Sequence, residues 1–524
     1  MAAPAPSGPR VNSGREVIHI QVGQAGNEIG HEFWRDLCDE HRIEYHSSNE
    51  ELRGAYHGDN RIYEDKLDVF FNEGSMGSGG KPRWVPRCIL VDLNDQDLAM
   101  VTQNSLGSLY KPENIVCTDE GSGNCYARAY YTEGPPVADR VLETVRKEAE
   151  RCSCLQGVQF THAISGGTGS GLNSLILRTL YDYFDRGSKC ILQSFTLVPA
   201  PRQSHILIEP YNAALALQDL SECCHQVYMF DNVALTEVCQ KALQQDTPKM
   251  KTLNNLVALC MSNITSCLRF SGPLNADLRK MHTNLVPFEV NKFLISGLAP
   301  LTAPTSKAYR RQTAQDLAQQ MISQDSCTVK CDPLNPGDEH EGVLKARFLA
   351  SWASWRGDFK TQEVDQICYD LQKPGSRYDK YFPDWVPNSV ASNVCKVPHT
   401  DMGNCVTMVS NNTAVHDVFD NICRSWDKMY KNKAYFHVYE QDGISTEDMM
   451  SSRRSLEYIS EAYCECARYA DKLVQDGEGR PARGSDLPEF KAVTNPEQQR
   501  IAEELYELAG NGTFLSEVDA RMMR

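Results

Sequence analysis

The sequence predicts an α/β protein: a doubly wound, mostly parallel sheet, a long core helix, a second α/β region and a C-terminal pair of helices. Three observations lead there. Short apolar runs alternate with helical patterns up to about residue 235, TLNNLVALCMSNITSCLRF is apolar at helical spacing, and two long amphipathic patterns follow residue 411.

In order along the chain, residues 1–14 are rich in Pro, Ala, Gly and Ser and are expected to be disordered. EVIHIQVGQAGNEIGHEFW reads as strand, Gly/Gln turn and helix. RCILVDLNDQDL, GVQFTHAI and CILQSFTLVPAP supply further strands, with VADRVLETVRKEAERC as a helix between them, the kind of crossover that parallel strands require. In the long apolar stretch, Leu253, Leu256, Val257, Cys260, Ile264 and Leu268 share a helical face, a buried helix joining two halves. The second α/β region runs to about residue 410, interrupted by NPGDEHEG, a surface insertion. VHDVFDNICRSWDKMY and EDMMSSRRSLEYISEAYCECARYADKL then form helices lying on the rest. DGEGRPARGSDLPEF is a linker. Beyond it NPEQQRIAEELYELAGNG is a short helix capped by Asn495, with Pro496 in its first turn and Gly510 as its stop. Its stripe of Ile501, Leu505 and Leu508 suits a partner or the protein itself. The expected divisions are 1–14, 15–235, 236–271, 272–410, 411–475 and 476–524.

Composition narrows the function. The chain of 524 residues has room for two or three domains. A net charge of −16 repels polyphosphate backbones and argues against nucleic acid as a partner, while leaving room for a single nucleotide. Twenty cysteines without a CxxC pair, and a start without an apolar signal core, read as a reduced, intracellular protein. CSC, ECCHQ, CTVKC and CEC lack the paired spacing of zinc knuckles, so buried thiols are the expectation. No apolar run approaches membrane-spanning length.

THAISGGTGSGLNS carries the chemistry. It lies between a strand pattern and the helical LNSLILRTLYDYF, so its glycines occupy a strand-to-helix turn. N–H groups there lack intrahelical partners and the helix dipole adds positive charge, which suits a phosphate. Its spacing is neither the dinucleotide fingerprint nor the Walker loop. The pattern alone admits a phosphate cradle and a plain tight-packing turn equally, and the missing fingerprint makes a nucleotide-dependent oxidoreductase remote.

REVIHIQVGQAGNEIGHEFW, SGGTGSGL, VPAPRQSHILIEPYNA, FDNVAL, LNADLRKMHTNLVPF and KAYFHVYEQDGI, in this order, resemble tubulin over roughly residues 15–472. LNADLRK and the lack of a long insertion after NSVASNVC are most similar to the β type. The resemblance implies a nucleotide-binding domain, an intermediate domain and a C-terminal helical pair. It implies GTP held by Gln24 at the phosphates, Gly123 and Asn124 in a closing loop, and Gly166, Gly167, Thr168 and Gly169 around the phosphates. Glu209 would meet the ribose, and Asn232 and Asn254 would read guanine, since an amide both donates and accepts. A neighbouring α-type subunit would pair head-to-tail in a microtubule of the cytoplasmic cytoskeleton, and associated proteins could bind. Hydrolysis would be completed in trans. Asp277 and Lys280 would face the partner's nucleotide, and Lys280, a cation where the α type has an acid, would leave that nucleotide uncleaved.

Several positions depart from the pattern. Asn94 replaces a glutamate near Mg2+, which Asp95 could partly replace. Ala163 and Ser165 alter the approach to the glycine loop, His205 replaces an acid near the ribose, and Met250 replaces a tyrosine stacked on the base. The outer helix MMSSRRSLEY and the mixed-charge tail lack the usual acidity, weakening charge-based motor binding. APTSKAYRRQTAQDL resembles a lateral-contact loop with extra basic residues. A non-polymerising or capping relative that binds GTP without cleaving it is the alternative.

Overall fold

Runs of Val, Ile and Leu become strands buried on both faces, as a mostly parallel sheet requires. The computed structural model describes residues 15–46, 53–58, 61–76, 82–185, 190–199, 206–241, 244–272, 277–301, 313–335, 346–383, 386, 388–400 and 402–475. The expectations at 1–14, His205 and the tail 476–524, with most of the lateral loop and of the insertion near residue 340, lie outside the described residues.

The first strand, β1 (Glu16–Val22), leads into helix α1 (Gly23–His41). A hairpin of β2 (Phe71–Met76) and β3 (Pro82–Pro86) precedes β4 (Cys88–Asp92), α2 (Asp95–Thr102) and β5 (Ile115–Cys117). Alternation continues with α3 (Gly134–Glu150), β6 (Leu155–Ala163), α4 (Asn173–Asp185), β7 (Ile191–Val198), α5 (Glu209–Cys223), β8 (Gln226–Asp231) and α6 (Asn232–Lys241). The core helix is α7 (Met250–Arg269), followed by α8 (Leu278–Leu285), β9 (Phe293–Ala299), α9 (Ala314–Ile322), β10 (Phe348–Arg356), α10 (Thr361–Gln372), β11 (Val390–Cys395) and β12 (Cys405–Asn412). Last come α11 (His416–Lys431), the short α12 (Phe436–Gln441) and α13 (Thr446–Gln475).

Ten strands form one sheet in the order β11-β10-β12-β9-β8-β7-β6-β1-β4-β5. Pairing is parallel from β5 to β9, β12 runs antiparallel to β9 and β10, and β11 is parallel to β10. The halves meet through two register pairs, Val227↔Phe293 and Tyr228↔Leu294. The second α/β region therefore continues the first sheet, a join that alternating patterns cannot reveal. Helix α7 is buried almost all round, beyond the single face its apolar spacing suggests. Helices α11 and α13 pack on α5. Phe419 meets Phe293 edge-on at 5.0 Å, and the Tyr463 hydroxyl accepts from the Phe293 N–H at 3.0 Å. On the outer side Arg453 of α13 forks onto Asp427 of α11 at 2.9 and 3.1 Å, so part of that basic helix is neutralised locally. No helix among the described residues is long and apolar enough to cross a membrane.

One buried charge cluster locks the elements together. Glu40 of α1 receives Arg269 of α7 at 2.7 Å and Arg356 of β10 at 2.8 Å, with the Ser262 hydroxyl at 2.7 Å and His399 at 3.3 Å. Phe270 lies under both guanidiniums and stacks on His41. Burial alone would raise the Glu40 pKa, but Arg356, Arg269 and His399 outweigh it and hold the carboxyl well below its ordinary 4.5. A depressed acid contributes stability that is complete above its unfolded pKa and is lost as pH falls through the folded one. Glu40→Ala would leave two buried guanidiniums without a counter-charge and cost about 3–5 kcal/mol, read from the urea midpoint of the full chain at pH 7. The gap between wild type and variant should shrink as pH falls below 4.5. A gap that stays constant down to pH 3 would contradict this account.

Candidate functional site

The sheet changes direction at β1. From β1 the chain moves outward to β4 and β5, then returns to lay β6 on the other side of β1. Ligands of open α/β sheets bind outside the carboxyl ends of the strands at such a switch point. A cleft of about 350 Å³ lies there, lined by Val22 at the end of β1 and Gly23 after it, Asp92 at the end of β4 and Ala163 at the end of β6.

Two loops form its walls. One contains Gly121, Ser122, Gly123 and Asn124; the other is Ser165 to Gly169, which leads through a wide π-type turn at Thr168–Leu172 into α4. Such turns are rare and often mark functional sites. The loops touch. A Cβ on Gly167 would come within 2.6 Å of both the Cys125 nitrogen and the Ser122 Oγ, so only glycine permits this approach. The Ser122 and Thr168 hydroxyls lie 3.2 Å apart. Gly123 and Asn124 have φ of +56° and +60°, a reversal that a Gly-Asn pair adopts with little strain.

Asn212 of α5 holds the loops in register. Its Nδ2 donates to the carbonyls of Asn124 at 2.7 Å and Ser165 at 3.0 Å, while its Oδ1 accepts from the Tyr126 N–H at 3.0 Å and the Tyr439 hydroxyl at 2.6 Å. This fully buried amide thus uses both donors and both acceptor positions, and links the cleft to α12. No sequence pattern marked it.

Of the residues expected at a nucleotide, Gln24, Gly123, Asn124, Gly166, Gly167, Thr168 and Gly169 line the cleft, as do Asn94 and Ala163. Glu209, Asn232, Asn254 and Met250 do not. Glu209 is buried in the first turn of α5, close to Ile206 on the cleft wall, and Asn232 opens α6. Asn254 lies on α7 and donates to Glu28, which also accepts from Gln24. Met250, the first residue of α7, is 57% exposed. Asp277 and Lys280 are elsewhere. Asp277 stands at the N-cap position of α8, where its side chain makes no capping bond and pairs instead with Arg15, and Lys280 is exposed one turn on. Leu278 lies against Gly157 at the beginning of β6, so α8 and the glycine loop are at opposite ends of that strand.

Oxygen donors for a hard cation are present at Asp92 and Asp97, both on the cleft wall. Burial, then the charge of Asp97, pushes the Asp92 carboxyl up to about 7 against the pull of the Leu93 and Asn94 amides. Its Oδ2 is buried with no hydrogen-bond partner among the described residues. Asn94 instead engages its side chain in capping α2, accepting from the Gln96 N–H and donating to Asp97. Asp95 accepts from the Cys117 thiol and is not on the wall. Among the described residues no three His, Cys, Asp or Glu side chains are grouped to hold a metal by themselves. The donor set therefore fits Mg2+ carried with phosphate oxygens, with Asp92 and Asp97 as its protein side. Asp92 is a carboxylate that closes the apolar run CILV, a feature visible in the sequence.

Asn212→Asp keeps the two accepting bonds and loses both donated ones, so the loops should separate. We expect at least a tenfold loss of guanine-nucleotide affinity by fluorescence titration and about 1–3 kcal/mol of stability. Unchanged affinity in a folded variant would remove Asn212 from the site.

Comparison with known families agrees with this architecture. A model described as the Tubulin/FtsZ family, GTPase domain, matches residues 16–240, and one described as the Tubulin C-terminal domain matches residues 291–424. The first span carries β1 to β8 and the cleft; the second carries β9 to β12 and most of α11. Matched in order over more than half its length, the chain belongs to the tubulin family and is a GTP-binding protein of that kind.

Proposed function

We propose that this chain is a β-like tubulin subunit that pairs head-to-tail with an α-type subunit and enters microtubules of the cytoplasmic cytoskeleton. The observation that supports this most is the separation of the cleft from Lys280 along β6. The six steps of β6 from Gly157 to Ala163 set them roughly 20 Å apart, so the two can meet only between molecules. Contacts of that heterologous kind generate filaments.

Within the cleft, the N–H groups of the glycine loop and the positive end of α4 would take the phosphates, and Gln24 would donate to them. Glu209 would accept from the ribose, and Asn232 and Asn254 would read the guanine edge, with Met250 packing on the base. Mg2+ held at Asp92 and Asp97 would neutralise phosphate charge. Cleavage needs a base that takes a proton as water attacks the γ-phosphorus and the bond to the β-phosphate oxygen breaks, giving GDP and phosphate. Among the described residues the acids of this cleft, Asp92 and Asp97, are the ones that would hold Mg2+, so an acid from the next subunit would supply the base. Lys280 cannot accept the proton and would instead pair with the phosphates of the nucleotide it covers. Arg453, already held by Asp427, supports weak charge-driven binding of associated proteins.

The reading is tested with the full chain and a purified α-type subunit, sedimenting the polymer and separating its nucleotides by chromatography. The chain should co-sediment, with the nucleotide beneath Lys280 recovered as GTP. Lys280→Glu should convert that pool to GDP. Failure to pair with the α-type subunit would contradict the proposal, and pairing without polymer would favour a capping relative.

A further inference from the structure

Glu28 stands one helical turn after Gln24 on α1, facing the first turns of α7. Its carboxylate takes two side-chain amides. Gln24 Nε2 donates to Oε1 at 3.3 Å and Asn254 Nδ2 donates to Oε2 at 3.0 Å. Gln24 lines the cleft and Asn254 is buried just beyond it, so Glu28 connects the phosphate end of the cleft to the α7 residue.

An ionised carboxylate accepts hydrogen bonds and cannot donate them. Each amide can therefore meet Glu28 in one orientation only, its NH2 toward the carboxylate and its carbonyl oxygen on the far side. The flipped orientation would set an amide oxygen against a carboxylate oxygen. A neutral amide in place of Glu28 could donate or accept, and would leave both orientations of Asn254 open.

We propose that Glu28 is a positioning residue for purine selection, holding Asn254 so that its Oδ1 is the atom presented to a bound base. This rests on Asn254 meeting the base, as in the function proposed above. Guanine carries N–H donors at N1 and N2 that an outward oxygen accepts. Adenine carries a bare N1 and no amino group at C2, so its lone pair would face that oxygen. A site built to pair a donor rejects the analogue that lacks it more strongly than packing alone can. Glu28 thus acts on selectivity through Asn254 and need not touch the nucleotide.

Selectivity is measured on full-length protein by letting GTP or ATP displace a fluorescent GTP analogue, with thermal unfolding of the nucleotide-free chain as the check on folding. Wild type should prefer GTP. In Glu28→Gln, nearly isosteric at a half-buried position, the ratio of the ATP Kd to the GTP Kd should fall about tenfold. In an Asn254→Ala background the same change should leave the ratio where Asn254→Ala alone puts it, an outcome that a purely structural role of Glu28 does not produce. An unchanged ratio in Glu28→Gln, with wild type still preferring GTP, overturns the inference and leaves the base-reading asparagine standing. A wild type that fails to prefer GTP overturns both.

Discussion

A single carboxylate between two guanidiniums fixes the geometry on which the cleft depends. Glu40 lies near the end of α1, Arg269 closes α7 and Arg356 closes β10, so this cluster ties the first helix, the core helix and the second half of the sheet at one point. Buried ion pairs are costly to desolvate and expensive to break, which makes them better at specifying an arrangement than at stabilising it. Here the arrangement specified is the register of two helices running side by side. Glu40 meets Ser262 and Arg269, and twelve residues earlier, about 18 Å along the axis, Glu28 meets Asn254. The buried lock at one end and the amide-carboxylate pair at the other hold α1 against α7 beside the point where α1 reaches the cleft.

The cleft combines this rigid frame with short, glycine-dependent loops. Gly167 allows one loop to touch the other, and Asn212 then bonds both backbones from below. Preorganisation of this kind lowers what a ligand must spend in ordering its site. The glycine-loop residues Gly166 to Gly169 line the cleft, and the carboxylates Asp92 and Asp97 lie on its wall as well. A cation would neutralise those carboxylates, so in the proposed function anion and cation sites would adjoin, as a nucleotide carried with Mg2+ requires.

Much of this was legible in the sequence. Strand and helix alternation gave the sheet, because parallel strands buried on both faces are uniformly apolar and their crossovers periodic. The glycine loop was legible because few other contexts tolerate so many glycines between a strand and a helix. Other features were not. The join between β8 and β9 rests on two residue pairs distant in sequence, and no local pattern encodes it. Asn212 looks like an ordinary helical residue, and its four bonds exist only once three remote segments converge. Asn94 occupied a suggestive position beside the strand end, yet helix capping takes its side chain, while Asp92 two residues earlier keeps an unpartnered oxygen among the described residues. Glu28 shares a helical face with Gln24, a spacing visible in the sequence whose meaning depends on α7 packing alongside.

The central claim, that the two loops and the starts of α4 and α7 together hold a guanine nucleotide, is tested most directly by hydrogen exchange of the full chain with and without GTP. The account predicts slowed exchange at residues 121–126, 164–172 and 250–256, with little change around α8. Protection confined to other segments, or none at saturating GTP, would contradict it.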